Sequence, residues 1–447
     1  MIIDFKVGNF LSYNEIQIFS MKAGKIRNNS NRLLIKDKSK FLKFMATYGA
    51  NASGKSNLVK AFEFFQETIL DSLNTNVSNL YCKLNDDNKE KESYFQIKIL
   101  LNNKCYIYGF KAILNKISFT EEWLLEELKN GTEKTIFSRN ISNDTFIFGE
   151  SLKKSPYYNR LKIYAEDIKS DNSILFLKAM NQNKDKLYTD GSSIQIFKDI
   201  YEWILFKLSV NLPDTPITTY SWLSDKNLTK ISEKLEKFGV GIESISLVKV
   251  SPEKITSNIP MELNKKISED LTKQRNLIKE NNLPVKPSIL IRSNNNMMFI
   301  VSLTENNEIE YKSLEFKHSQ SSATFSLEEE SDGTIRLLDL IEVLLNEEDG
   351  KTYIIDEINR RFHPLLTQEF IQEYLKLAET RNIQLIVTTH ESKLMDLKLL
   401  RKDEIAFVNK EKQGNSCIYS LNKYDDRFDK KVLNEYFSGK YDAIPHF

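Results

Sequence analysis

"YGANASGKSNL" (48–58) decides the reading of this 447-residue chain. Gly49, Gly54, Lys55 and Ser56 match G-x-x-x-x-G-K-[ST], the pattern of a phosphate loop. The glycines allow a tight turn whose backbone N–H groups point inward at phosphate oxygens. Lys55 supplies a point charge for the β- and γ-phosphates, and the Ser56 hydroxyl is a ligand for Mg²⁺. Ala50, Asn51, Ala52 and Ser53 fill the loop and Asn57 follows it, so Gly49 to Asn57 is the candidate cradle for ATP. The flanks agree. "FLKFMATY" (41–48) reads as a buried strand. "SNLVKAFEFFQETIL" (56–70) carries Leu58, Ala61, Phe62, Phe65 and Ile69 at helical spacing. Strand, loop, helix is the context the motif needs, because a helix N-terminus adds partial positive charge beneath the phosphates.

Composition narrows the class. Hydrophobic residues make up 40% and charged residues 28%, an ordinary globular balance. No apolar run approaches the ~20 residues of a membrane span, so no membrane partner is expected. "MIIDFKVGNF" has no basic region followed by an apolar core, and no secretion signal is expected. Cys82, Cys105 and Cys417 are scattered and odd in number, which fits a reducing cytoplasm rather than a disulfide framework. With 63 basic and 62 acidic residues the net charge is +1, so no global field draws the chain onto nucleic acid. A local basic groove stays open.

Along the chain, residues 1–21 alternate and read as two strands. Residues 92–116 read as a hairpin turning at "NNK", and "KISFTEEWLLEEL" (116–128) as a further strand with a short connection. From about 150 to 285 the spacing becomes helical and the charge dense, as in "IQIFKDIYEWILFKLSV" and "LTKISEKLEKFGVG". "PMELNKKISEDLTKQRNLIKENN" (260–282) is polar nearly all round and reads as an exposed arm, a helix that pairs with another, or a weak helix. Strand texture returns over 297–318. The expected organisation is an ATPase lobe over 1–145, a mainly helical insertion over 146–289, and the remaining ATPase parts over 290–447.

"KTYIIDEI" (351–358) is an apolar strand ending in two acids. Asp356 is placed to hold Mg²⁺ through water and Glu357 to polarise the attacking water. Strand C-termini are where open α/β sheets put their ligands. "IQLIVTTH" (383–390) is a second buried strand, ending in His390, which can touch a γ-phosphate. In "LEEESDGTIRLLDLIEVLL" (327–345), Ser331, Gly333 and Thr334 precede a helix carrying Ile335, Leu337, Leu338, Leu340, Ile341 and Leu344. One reading of Ser331 is a plain N-cap. The other is the signature loop of ATP-binding-cassette ATPases, where a serine and a helix N-terminus meet the γ-phosphate held by a second subunit. The order phosphate loop, signature, acid pair, histidine favours the second.

On these motifs the chain resembles cassette ATPases of the SMC, RecF and OLD group. The resemblance implies an α/β fold, an ABC-type P-loop ATPase head with a mixed sheet, flanking helices and a largely helical insertion. "VGNFLSY" (7–13) looks like that group's N-terminal element near the nucleotide, with Leu11 in place of the usual basic residue. More narrowly, "DEINRRFHPLLTQEFI" (356–371), "LLRKDEIAFVNKE" (399–411) and "YFSGKYDAIPHF" (436–447) are similar to phage-defence AAA ATPases of the AbiL and RloA kind. The resemblance implies a head-to-tail homodimer, or a higher oligomer, with ATP between Gly49–Ser56 of one subunit and Ser331 and Gly333 of the other. Glu357, Lys55 and His390 would be catalytic, and Ser56 and Asp356 would hold the metal. Asn359 and Arg360 would occupy the dimer-contacting loop. Gln96 is a candidate for the glutamine that links Mg²⁺ to the second lobe, although its strand pattern suits a structural role. Asp425, Asp426 and Asp429 read as a solvated turn rather than a nuclease centre. The implied function is an ATP-hydrolysing sensor of an abortive-infection system that controls a separately encoded effector, nuclease-like in related operons. The alternative is a RecF- or SMC-like repair ATPase that clamps DNA.

Overall fold

The computed structural model describes residues 1–184, 187–188, 192–213, 225–253, 266–267, 269–272, 275, 288–292, 297–304, 308–424 and 432–444. Most of the polar stretch 260–282, Asp425, Asp426, Asp429 and the last three residues lie outside them. The chain divides into two compact units. The first is Met1–Thr215 with Glu347–Arg360 and Ile371–Phe447; the second is Pro216–Asn346 with Arg361–Phe370.

The chain opens with β1 (Ile2–Gly8) and β2 (Gln17–Ser20), then a short hairpin of β3 (Leu34–Lys36) and β4 (Ser39–Phe41). β5 (Phe44–Tyr48) leads through the glycine-rich loop into helix α1 (Lys55–Asp71). The expected strand 41–48 is thus interrupted at Leu42 and Lys43. A meander follows: β6 (Ser93–Leu101), β7 (Lys104–Ile113), β8 (Ser118–Glu127), β9 (Glu133–Asn140) and β10 (Thr145–Phe148). Asn102 and Asn103, both at positive φ, make the β6–β7 turn, as a two-residue hairpin loop requires. After a run of short helices comes β11 (Leu208–Asn211). The second unit holds β12 (Ile242–Lys249), β13 (Ser288–Arg292), β14 (Met298–Leu303), β15 (Ile309–His318) and β16 (Thr324–Ser326). The chain then returns with β17 (Thr352–Ile355), β18 (Gln384–Thr388), β19 (Ile405–Lys410) and β20 (Ser416–Ser420).

Apart from the β3–β4 hairpin, the strands of the first unit form two sheets. One is antiparallel, in the order β10-β9-β8-β7-β6-β1-β2; the other is mixed, in the order β11-β17-β18-β5-β19-β20, and parallel except for β20. Helix α1 buries Leu58, Val59, Ala61, Phe62, Phe64, Phe65, Thr68 and Ile69, a broad face, and leaves Lys60, Glu67 and Asp71 exposed on the opposite side. Toward the antiparallel sheet Phe62 stacks on Phe5 with ring centroids 3.9 Å apart, Phe65 stacks on Phe110 at 5.7 Å, and Phe64 meets Phe95 at 4.8 Å. The same continuous core takes in Met45, Ile354, Ile386 and Ala406 of the mixed sheet. A buried amide ties the sheets together. Gln384 accepts from Ile2 N–H at 2.6 Å and donates to the carbonyls of Ile2 and Leu42 at 2.9 and 3.0 Å.

The stretch 146–289 adds helices, and strands as well. Helices Glu150–Lys153, Tyr158–Ile168, Phe176–Asn181 and Gln195–Glu202 pack Leu161, Phe176, Met180 and Phe197 into the first unit's core. The helical reading of "IQIFKDIYEWILFKLSV" holds only in part. Its end is β11, which pairs parallel with β17 and extends the mixed sheet. Ile242–Lys249, also inside the stretch read as helical, is β12.

The second unit is an antiparallel sheet, β12-β15-β14-β13, with β16 on β15. Helix Asp225–Lys237 packs on β12, where Ile245 N–H donates to Ser232 Oγ at 3.1 Å. Helices Asp332–Leu340 and Glu342–Leu345 bury Ile335, Leu337, Leu338, Leu340, Ile341 and Leu344, the apolar positions read from the spacing.

Because Phe62 is enclosed on the helix that both sheets share, Phe62→Ala is expected to lower unfolding free energy by about 3–5 kcal/mol. Urea denaturation measures this. A loss under about 1 kcal/mol would mean that α1 is not held as described.

Candidate functional site

In the mixed sheet β18 lies between β5 and β17. Thr388 stands opposite Thr47 and Val387 opposite Ile355. The three strands are parallel, so the segments that follow them, 49–54, 389–391 and 356–359, leave the sheet at one edge. The topology thereby brings together Lys55, Asp356, Glu357 and His390.

The loop 49–54 is shaped by close packing from below. A Cβ on Gly49 would collide with the Val408 carbonyl oxygen of β19, and Gly54 sits at φ +114° with Ser12 Oγ 2.8 Å from where its Cβ would be. Only glycine fits the first position sterically and the second conformationally. Three hydroxyls and an amide hold the loop's outer side. Tyr13 donates to Gly54 O at 2.8 Å, Ser416 donates to Ser53 O at 2.6 Å, and Asn57 Nδ2 donates to Ser12 Oγ at 2.8 Å. "VGNFLSY" therefore does reach the loop, through Ser12 and Tyr13, with Leu11 itself at φ +49°. Ser56 is half-buried in the first turn of α1, while Asn51 and Ala52 are exposed.

Lys55 is buried, and its ammonium donates to the carbonyls of Gly49 and Ala50 at 2.8 and 2.9 Å. Burial pulls its pKa down to about 8, against the opposing pull of Asp356 and Glu357. Ser53 Oγ is buried without a hydrogen-bond partner among the described residues. A loop wrapped round a buried cation, with an unused hydroxyl, suits a phosphate chain.

Asp356 is buried and accepts a hydrogen bond from Thr388 Oγ1. Thr388 Oγ1 also accepts from Glu357 N–H at 2.8 Å. Glu357 stands at φ +49°, a left-handed conformation that a non-glycine residue adopts at a cost. The Asn359 side-chain oxygen accepts from Thr389 Oγ1 at 2.9 Å and from His390 N–H at 3.1 Å. Partial burial, then the Lys55 charge, hold the His390 imidazole below its usual pKa, with Glu357 and Asp356 opposing. Thr388 and the clasping role of Asn359 were not apparent in the sequence. The polar "TTH" that ends an apolar strand was the available signal.

Ser331, Gly333 and Thr334 lie in the second unit, at the start of the helix Asp332–Leu340. Ser331 Oγ accepts from Thr334 N–H at 3.1 Å, so the N-cap is made. Ser331 is exposed, and a Cβ on Gly333 would meet Arg361 O at 3.1 Å. Asp332 and Arg361 pair at 3.6 Å. Gln96 lies inside β6, where its side-chain oxygen accepts from Tyr94 and Trp123 at 2.8 and 3.3 Å, a structural use. Among the described residues no helix is long and apolar enough to cross a membrane.

A family model described as "AAA domain, putative AbiEii toxin, Type IV TA system" matches residues 44–199 and 243–396, more than half of the chain. No curated protein matches the sequence. Among solved structures the chain is similar to an SMC head bound to the C-terminal winged-helix domain of ScpA. That match has 15% identity, covers 94% of this chain and 98% of that one, and has a TM-score of 0.43. It is also similar to an SMC head from Pyrococcus furiosus bound to the C-terminal domain of ScpA, with 17% identity, 98% and 99% coverage and a TM-score of 0.39. The SMC head domain from Thermotoga maritima matches with 12% identity, 94% and 98% coverage and a TM-score of 0.34.

Lys55 releases its proton at about 8 in the folded chain, against 10.5 for an unperturbed lysine. Between these values the unfolded chain holds more protons, so stability from this group rises with pH. Its destabilising effect is full below pH 8 and fades toward pH 10.5. Lys55→Met is therefore expected to be more stable than the parent at pH 7, by roughly 2 kcal/mol after the lost hydrogen bonds are discounted. The gap should narrow between pH 8 and 10.5 in chemical denaturation. A gap that does not change with pH would contradict the assigned burial of the ammonium.

Proposed function

The chain belongs to this AAA-domain family, and from that premise we propose that it is an ATP-binding and ATP-hydrolysing switch subunit of a prokaryotic antiphage abortive-infection system. The observation that carries the proposal is the meeting of Lys55, Asp356, Glu357 and His390 at the C-terminal ends of three neighbouring parallel strands. Phosphoryl transfer asks mainly for positioning and charge stabilisation from the protein, which this set of groups can supply. The backbone N–H groups of the 49–54 loop and the N-terminus of α1 cradle the phosphates. Lys55 turns from the loop carbonyls to the β- and γ-phosphates. Ser56 and Asp356 are the residues that would hold Mg²⁺, whose charge offsets that of the phosphate chain. Glu357 orients water and accepts its proton, and His390 contacts the terminal phosphate.

In the proposed cycle two copies meet head to tail. The exposed Ser331, with Gly333 and Thr334 and the helix start behind them, contacts the phosphate chain held by the other copy's loop. ATP closes this dimer and hydrolysis reopens it. The family's description names a toxin and a toxin–antitoxin system, and "HPLLT" after the acid pair is similar to the AbiL and RloA kind. Both support a cytoplasmic sensor that restrains or licenses a separately encoded effector.

Glu357→Gln is expected to bind ATP, to lose at least about 100-fold in turnover, and to accumulate as a dimer in native mass measurements with ATP. Ser331→Arg should bind ATP normally in calorimetry yet hydrolyse almost none. Normal hydrolysis by Ser331→Arg would overturn the head-to-tail arrangement. Purified with ATP after nuclease treatment, from cells that also express its neighbouring gene, Glu357→Gln should bring a stoichiometric protein with it. Protected nucleic acid and no protein would favour a DNA clamp instead.

A further inference from the structure

We propose that the cavity walled by residues 22–41 is a second anion site, separate from the phosphate loop, that takes a compact ligand carrying a chain of phosphates. The cavity measures about 660 Å³, within the range of roughly 300–1,000 Å³ typical of small-molecule sites. Lys22, Lys25, Arg27, Lys38, Lys40 and Lys98 line it against one acid, Glu127. Lys98 is bonded to Glu127, and Lys22 to Asp4 at 2.7 Å. Lys25, Arg27, Lys38 and Lys40 have no carboxylate within 4.0 Å among the described residues. The whole chain carries a net charge of only +1, whereas this lining carries six cations against one acid.

The cations stand on a backbone held from behind. Arg401, fully buried, grips Asp403 with two hydrogen bonds of 2.8 and 2.7 Å and donates to the carbonyls of Ile26 and Asn28 at 3.2 and 2.6 Å. Asp403 in turn accepts from Gly24 N–H at 2.7 Å. Arg32, also buried, donates to Leu399 O at 2.9 Å and lies 3.4 Å from Glu404. Ala23 N–H donates to Lys40 O at 2.9 Å, joining the two ends of the segment. Buried ion pairs of this kind add specificity of form more than stability. Here they fix the backbone from which the exposed cations project, which lowers part of the ordering cost of binding an anion.

A neighbouring cavity of about 920 Å³ shares Ser39, Phe41, Lys38, Cys105 and Glu127, and most of its further charges are paired, Lys36 excepted. Lys129 meets Asp37 at 3.1 Å, and Lys104 meets Glu126 at 3.0 Å. Lys36 is thus the one further cation there without a carboxylate within 4.0 Å among the described residues, so the unpaired charge is concentrated at the first cavity and favours a short oligophosphate over a long polyanion. The apolar floor, Ile3, Ile26 and Phe41, includes no exposed aromatic face on which a base could stack, so recognition is through phosphate. None of the lining residues belongs to the phosphate loop, and the proposal stands apart from the ATPase reading.

The test titrates inorganic tripolyphosphate into the full-length Lys55→Ala variant by calorimetry. One equivalent is expected to bind, more weakly as salt rises. The added changes Lys25→Glu, Arg27→Glu and Lys40→Glu should weaken it at least about tenfold, since all three positions are charges at the contact. Reversing the exposed Lys83, Lys89 and Lys91 instead should change it less than about threefold. In the parent chain the same cavity changes should remove one of two equivalents. A twelve-residue single-stranded DNA competing more weakly than tripolyphosphate identifies a free oligophosphate as the source. Stronger competition identifies nucleic-acid phosphates in the same site. No binding to Lys55→Ala, or equal weakening by the two charge reversals, overturns the proposal.

Discussion

A helix with an unusually broad apolar face governs this molecule. α1 buries Leu58, Val59, Ala61, Phe62, Phe64, Phe65 and Ile69 and leaves Lys60, Glu67 and Asp71 to water, and a face that broad must be covered on more than one side. The first unit covers it with a core shared by two sheets, and the aromatic stack of Phe5, Phe62, Phe65 and Phe110 binds the helix to the antiparallel one. The loop that begins the helix has its position set by the same enclosure. Val408, Ser12, Tyr13 and Ser416 crowd it from outside, while the Lys55 ammonium holds its Gly49 and Ala50 carbonyls from within. The shape of the candidate site is in this sense a product of core packing.

What could be read from sequence was what is local. The glycine loop, the acid pair and His390 each sit at the end of an apolar run, and strand ends are where such residues act. β11 escaped because four residues, "LSVN", follow a helical pattern without a break, and their partner β17 is some 140 residues away. β12 lay in a charged stretch whose spacing suits a helix equally well. The Thr388 and Asn359 hydrogen bonds depend on the register of β17 beside β18, and no pattern in either segment encodes that register. The hydrogen bonds between 22–41 and 401–404 join residues more than 370 apart in the chain.

The site also holds a tension that motif matching does not express. Glu357 is kept in a left-handed conformation by its neighbours, with its N–H on the Thr388 hydroxyl that also serves Asp356. Such strain persists where the surroundings over-determine it, and it concentrates at working sites. Asn359, two residues on, joins the same segment to Thr389 and His390. The segments after β17 and β18 are therefore one hydrogen-bonded body.

The order of strands in the mixed sheet has a consequence for how the chain is made. β1 and β2 and the meander β6 to β10 all come from the first 150 residues, so the antiparallel sheet and α1 can associate early in synthesis. β5, fully buried in the finished protein, flanks only β18 and β19, and these leave the ribosome more than 330 residues later. At about 5–20 residues per second the strand that carries the phosphate loop waits roughly 20–70 s for its first partner. For that interval the apolar strand β5 lacks both of the neighbours that cover its edges in the finished sheet, and the nucleotide site that those neighbours complete is not yet formed.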